Sequence, residues 1–88
     1  MIDENVLNAV VLQLTEEGVA EQTVTNLRAT HPGVHFTYCM DDDVVGPRPA
    51  FEGEGFNLYY VDAADHCLRL TPDYQVATGL VVAETEPD

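Results

Sequence analysis

Residues 34–43 decide the fold; they read Val34-His-Phe-Thr-Tyr-Cys-Met-Asp-Asp-Asp43. Large apolar side chains alternate with His35, Thr37 and Cys39, which is the period of a β-strand with one buried face. The strand runs directly into three adjacent carboxylates, whose mutual repulsion resists further ladder pairing. The chain therefore has a half-buried strand near its middle, and other elements are needed to cover the apolar face.

Two helices are predicted ahead of this strand. Apolar residues recur every three or four positions from Val6 to Leu14, which indicates an amphipathic helix. Asp3 is a suitable N-cap for it, and Gly18 can supply a left-handed stop. A second helix is predicted over about Ala20 to Thr30, and Pro32-Gly33 ends it. The two form a short helical hairpin.

Three further strands are predicted after the central strand. Alternation marks residues 56–60 and 66–70, with a polar link at 62–65, and the last strand covers Thr78 to Glu84. We predict a single α+β domain over residues 1–88, with two N-terminal helices packed on one face of a four-stranded antiparallel sheet in the order ααββββ. The residues expected to face the helices are Phe36, Tyr38, Phe56, Leu58, Tyr60, Leu68, Leu70, Leu80 and Val82.

The charge of the chain restricts its partners. Sixteen Asp and Glu residues stand against three Arg and no Lys, giving a formal net charge of −13. Such a field repels phosphate backbones, so we expect no nucleic acid ligand and favour a basic surface of another protein as partner. Since 45% of the residues are hydrophobic, the chain is nevertheless expected to fold.

The chain shows no signal for export or for a membrane. No positive segment precedes an apolar run at the N-terminus, and the longest apolar stretches are far shorter than a membrane span. We therefore expect a cytoplasmic protein without membrane contact, in which Cys39 and Cys67 are thiols rather than a structural disulfide.

The segment from Asp41 to Gly55 is the only long loop expected, and part of it resembles a calcium loop. Asp41, Asp43 and Glu52 occupy the first, third and twelfth places of that pattern. Val45 has no side-chain oxygen for the fifth place, and strands rather than helices flank the loop. A weak cation site is one hypothesis; the alternative, which we favour, is that the carboxylates simply end the strand.

The alternation also predicts an open sheet face, turned away from the helices. Cys39, Cys67, Tyr59 and Arg69 should project from it, with Tyr59 as an exposed aromatic anchor for a partner or for a second copy of the chain. The two thiols could hold iron, zinc or copper only if the first and third strands are neighbours. Tyr38, Tyr60 and Tyr74 are expected to pack in the core or across strands.

No catalytic arrangement stands out. Ser and Lys are absent, and no nucleophile lies at a workable spacing from a base. We therefore expect neither enzyme activity nor a cofactor.

Four segments, at residues 35–43, 53–59, 65–71 and 77–81, resemble a family of small uncharacterised proteins encoded among bacterial nitrogen-fixation genes. The resemblance implies an accessory role near nitrogenase or its metallocluster assembly, and it assigns no functional residues. Two hypotheses follow. The favoured one is a non-enzymatic acidic module that docks on a basic protein surface, and the alternative is a metal-binding protein that uses the Asp41–Glu52 loop or the thiols of Cys39 and Cys67.

Overall fold

A computed structural model describes residues 2–44, 48–62 and 69–85, with the side chains of Asp43 and Arg69 excepted. These residues form two helices, a 3-10 turn and five strands. The elements are α1 (Glu4–Glu17), α2 (Glu21–Thr30), β1 (His35–Met40), the 3-10 turn (Asp41–Asp43), β2 (Phe51–Glu52), β3 (Phe56–Asp62), β4 (Arg69–Thr71) and β5 (Gly79–Glu84). The predicted α+β class is confirmed, whereas the strand number, order and directions differ from the prediction.

Both helices begin and end where the sequence predicts. The Asp3 carboxylate accepts a hydrogen bond of 2.9 Å from the Val6 amide, which caps α1. Gly18 ends α1 with φ at 90° and donates its amide to the Leu14 carbonyl. Within the described ranges, neither helix has the length and apolar composition needed to cross a membrane.

The sheet is mixed, and β5 lies at its centre. The strand order is β1-β5-β3-β2, and β4 also pairs with β3. β1 runs parallel to β5, whereas β3 is antiparallel to β5, β2 and β4. The prediction of a purely antiparallel sheet of four strands is therefore wrong. The physical reason is the run from Gly79 to Ala83, which is buried on both faces and so fits an interior strand.

The helices cover one face of this sheet, which we call the helix face. Its core combines apolar residues of α1 and α2 with alternate residues of β1, β3 and β5. The fully buried members are Ile2, Val10, Leu14, Val24, Leu27, Leu58, Ala77, Leu80 and Val82. The face predicted for β1, β3 and β5 is thus confirmed. Arg28 secures α2 to the edge of the sheet, because its Nη2 donates to the Phe36 carbonyl at 3.0 Å.

The predicted face of β4 is wrong. Leu70 pairs with Val61 and packs with it on the side away from the helices. Apolar and polar residues alternate through this short strand, but the alternation does not indicate which neighbouring strand sets its register. A slip of one residue turns every side chain to the opposite face of the sheet.

The segment predicted as one long loop contains additional structure. Asp41–Asp43 form the 3-10 turn, and β2 pairs with β3 through a tight hairpin. The Gly53 amide donates to the Phe56 carbonyl at 2.8 Å, and Gly55 adopts φ of +87°. A glycine is favoured there because side chains clash in that region of backbone conformation.

Gly79 allows β5 to enter the sheet beside β1. A Cβ at this position would clash with the His35 carbonyl oxygen and would lie 2.7 Å from the His35 Cβ. We predict that Gly79→Ala destabilises the fold by about 1–3 kcal/mol or more, because both strands would have to move apart. Urea unfolding followed by circular dichroism measures the change.

Gly33→Ala is the matched control, because a Cβ at Gly33 meets nothing within 4 Å. Its free energy of unfolding should change little or rise slightly. Equal destabilisation by the two substitutions would contradict the close approach of β1 and β5.

Candidate functional site

The face of the sheet away from the helices, which we call the far face, is closed rather than open. Tyr59, at 6% exposure, is buried in a second apolar cluster with Val61, Val81 and Ala83. Cys39, Val44 and Leu70 pack against this cluster. The prediction that Tyr59 is an exposed anchor is therefore wrong, although the side of the sheet assigned to it and to Cys39 is confirmed.

A hydrogen-bonded carboxylate closes this face. The Tyr59 hydroxyl donates to Asp41 Oδ1 at 2.8 Å, and Asn57 Nδ2 donates to the same oxygen at 3.0 Å. Asp41 begins the 3-10 turn, and the Val44 amide donates to the Asp41 carbonyl at 3.0 Å. The turn thus brings Val44 against the apolar cluster. The first of the three carboxylates ends β1, as predicted, and in addition holds two side chains of β3.

Burial raises the pKa of Tyr59 above its usual value, and the hydrogen bond to Asp41 raises it further. Both effects disfavour the phenolate, since its charge would be desolvated and would repel the carboxylate. Tyr59 therefore acts as a neutral donor to Asp41.

Two of the residues in the calcium-loop hypothesis lie near the same side chain in the structure. Glu52 is the cross-strand partner of Asn57, so Asp41 and Glu52 are both neighbours of one amide side chain. Among the described residues, however, no three His, Cys, Asp or Glu side chains lie together as a metal site requires. The side chain of Asp43 and residues 45–47 lie outside the described residues.

The thiol-site and docking hypotheses rest partly on residues outside that description. Cys67 and the side chain of Arg69 are among these. Cys39 is half-buried on β1, and β1 is bordered by β5 rather than by β4. The condition set for a shared metal, that the first and third predicted strands be neighbours, is not met, because β5 and β3 separate β1 from β4.

A surface pocket that sequence patterns did not indicate lies at the start of α1. We call it the tyrosine pocket; its volume is about 540 Å³. The residues that line it are Ile2, Asp3, Glu4, Leu7, Tyr60 and Tyr74. The Ile2 amide donates to the Tyr74 carbonyl at 3.1 Å, which ties the N-terminal segment to the loop between β4 and β5.

A turn in this loop presents Tyr74 to solvent. The Asp73 amide donates to Thr71 Oγ1, and the Gln75 amide donates to Asp73 Oδ1 at 2.9 Å. These bonds are typical of turns built on Thr and Asp. Tyr74 is 46% exposed and Val76 is 48% exposed, so the expectation that Tyr74 is a packing residue is wrong.

The tyrosine pocket is electrostatically negative. Burial raises the pKa of Tyr60, and the nearby Tyr74 and Glu4 raise it further. These effects favour the neutral hydroxyl of Tyr60 over the phenolate. Among the residues that the structure describes, none that lines the pocket is basic.

A second open pocket lies towards the other end of α1. We call it the hairpin pocket; it has a volume of about 380 Å³ and lies between the α1–α2 turn and the β2–β3 hairpin. Phe51 and Phe56 stack there with ring centroids 5.9 Å apart, and Glu54 is the one carboxylate among the described residues that line the pocket. It resembles the tyrosine pocket in size but has fewer charged and hydroxyl groups.

The sequence contains one local signal for the tyrosine pocket. Pro72-Asp73 predicts a turn, and Tyr74 directly follows it, where a large aromatic residue is readily exposed. The approach of this turn to Asp3 and Glu4 depends on how β4 and β5 enter the sheet. Spacing along the chain therefore does not indicate the pocket.

The fold and these surfaces define a small acidic α+β protein with an open surface pocket towards each end of α1. A family described as "Family of unknown function (DUF6129)" matches residues 9–85, and the chain belongs to this family. Comparisons with curated proteins and with solved structures gave no match.

The bond between Tyr59 and Asp41 should contribute measurably to stability. We predict that Tyr59→Phe lowers the free energy of unfolding by about 1–2 kcal/mol, because a buried donor to a carboxylate is lost while the ring remains. Tyr74→Phe, the same change at an exposed position, should shift it by less than about 0.5 kcal/mol. Urea unfolding at pH 7 compares the two.

The same variants should differ at alkaline pH. Since the folded-state pKa of Tyr59 lies above the usual tyrosine value of 10.0, the contribution of its hydrogen bond to stability is complete below about pH 10. This contribution is lost as the pH rises through the folded-state pKa. Tyr59→Phe should therefore weaken the alkaline loss of stability, whereas Tyr74→Phe should not weaken it as much. Identical pH profiles for the two variants would contradict the role given to Tyr59.

Proposed function

We propose that this protein is a non-enzymatic accessory module that docks through its acidic surface on a basic surface of another protein. The observation that carries the proposal is the exposed ring of Tyr74 at an open pocket beside Asp3 and Glu4. Protein interfaces combine an aromatic anchor with a polar rim in this way, and tyrosine is enriched among residues that dominate binding energy.

The charge of the whole chain supports a basic partner. A net charge of −13 on 88 residues produces a field that accelerates encounter with positive surfaces and repels negative ones. Exposed carboxylates occur at both ends of α1, with Asp3 and Glu4 at one end and Glu16 and Glu17 at the other. Arg28, in contrast, is held at the sheet edge by its bond to Phe36.

The far face does not support docking in the described state. Its apolar residues already pack against one another and against Val44 and Leu70 within a single chain. Exposing Tyr59 would break its hydrogen bond to Asp41 and uncover apolar area, which opposes binding there. Docking at the tyrosine pocket needs no such rearrangement.

The setting that we propose for the partner is nitrogen fixation. Its support is the resemblance of residues 35–43, 53–59, 65–71 and 77–81 to proteins encoded among nitrogen-fixation genes. A partner from nitrogenase or from its cluster-assembly machinery would fit a small acidic accessory protein.

Two charge-matched variants test the docking surface. The pocket variant carries Asp3→Asn, Glu4→Gln and Asp73→Asn, and the control carries Glu16→Gln, Glu21→Gln and Glu54→Gln. Each removes three negative charges, and Asn at positions 3 and 73 can still accept the local amide hydrogen bonds. The two variants therefore have the same net charge and differ only in where the charges have been removed.

The binding measurement uses immobilised protein and extract from cells grown with and without nitrogen fixation. We predict that the wild type and the control retain a basic protein whose capture is lost at high salt. The pocket variant should capture at least about tenfold less of this protein, because several rim charges are removed together. Equal capture by the two variants would contradict the docking surface, and a partner unrelated to nitrogen fixation would contradict the setting.

A further inference from the structure

We propose that the tyrosine pocket receives the guanidinium group of one arginine side chain of the docked partner. This inference rests on the proposed function and specifies which chemical group that surface recognises. The pocket joins two aromatic rings, two carboxylates and two aliphatic side chains at one opening. Each class of group matches a different part of an arginine side chain.

The aromatic rings offer faces to a cation. Tyr74 is substantially exposed, and Tyr60 is half-buried on the helix face next to it. A guanidinium group is planar and weakly hydrated, so it stacks on tyrosine rings more readily than an ammonium group does. The half-buried side chain of Leu7 can contact the methylene stem of the same arginine side chain, while Ile2, at 1% exposure, forms the floor of the pocket.

The two carboxylates favour a ligand with a positive charge. Asp3 uses Oδ1 to cap α1, and Glu4 follows it in the first turn with an exposed side chain. The start of a helix carries about half a positive charge, which two full negative charges exceed. An anion would be repelled here, and a purely apolar group would leave both carboxylates beside a dry surface. Arginine can instead donate two parallel hydrogen bonds to one carboxylate.

The hairpin pocket provides an internal comparison. Its volume is about 380 Å³, and it also has two aromatic rings, those of Phe51 and Phe56. Within the described part of the chain, however, Glu54 is the single carboxylate that lines it. If any aromatic pocket on an acidic protein bound arginine, both pockets would respond. We expect a response at the tyrosine pocket alone.

The test is a titration of the full-length, isotope-labelled protein with three blocked tripeptides, recorded by NMR. The peptides are Ac-Gly-Arg-Gly-NH2, its lysine analogue and its citrulline analogue, which has nearly the shape of arginine without the charge. The arginine peptide should produce saturable shifts at residues 2–7, Tyr60 and Tyr74. The lysine peptide should bind at least about fivefold more weakly, and citrulline should produce no saturable shift.

Two substitutions and one control locate the site. Tyr74→Leu removes the aromatic face at an exposed position, and Glu4→Gln removes one charge with little change in shape. Each should weaken binding of the arginine peptide at least about fivefold, whereas Glu54→Gln, in the hairpin pocket, should leave it within about twofold. Unchanged amide shifts in β5 establish that each variant is folded.

The outcomes separate this inference from the proposed function. Equal binding of the arginine and citrulline peptides, or shifts centred on the hairpin pocket, would overturn the arginine site. If the pocket variant loses the partner while the arginine peptide does not bind, docking stands and the arginine site fails. If the peptide binds as expected but both charge variants capture the partner equally, the docking surface fails.

Discussion

β5 is buried between two neighbouring strands and beneath two apolar clusters. The arrangement of the other elements follows from this burial. Leu80 and Val82 face the helices, while Val81 and Ala83 face the opposite cluster. Because both faces of this strand are apolar, neither can be left in water without losing hydrophobic stabilisation. The helices cover one side; on the other side Val44 and Leu70 pack against the cluster, and Asp41 accepts a hydrogen bond from Tyr59.

Local features of the fold could be predicted from the sequence, because the groups involved are close along the chain. The Asp3 cap, the Gly18 stop and the alternation of β1 each depend on a few adjacent residues. The parallel pairing of β1 with β5 could not be predicted in this way, since it joins residues more than forty positions apart. The apolar run from Leu80 to Ala83 did carry a signal, because continuous burial is typical of an interior strand.

The candidate sites also combine features that adjacent residues predict with features that depend on distant parts of the chain. Alternation correctly placed Cys39 and Tyr59 on one side of the sheet, but it contained no information on whether that side is covered. Asp41 reaches back to β3, where it accepts hydrogen bonds from Tyr59 and Asn57, and Val44 of the same turn packs against the cluster. The tyrosine pocket likewise forms where the start of α1 meets the turn before β5. The far face is buried, and the tyrosine pocket is the surface at which we propose that a partner docks.

The accessibility of individual tyrosine rings tests this account most directly. In photo-CIDNP NMR, a photoexcited dye polarises only those tyrosine rings that it can contact. We expect strong polarisation of Tyr74 and none of Tyr59, in keeping with exposures of 46% and 6%. Polarisation of Tyr59 as strong as that of Tyr74 would show an open far face and would contradict the account.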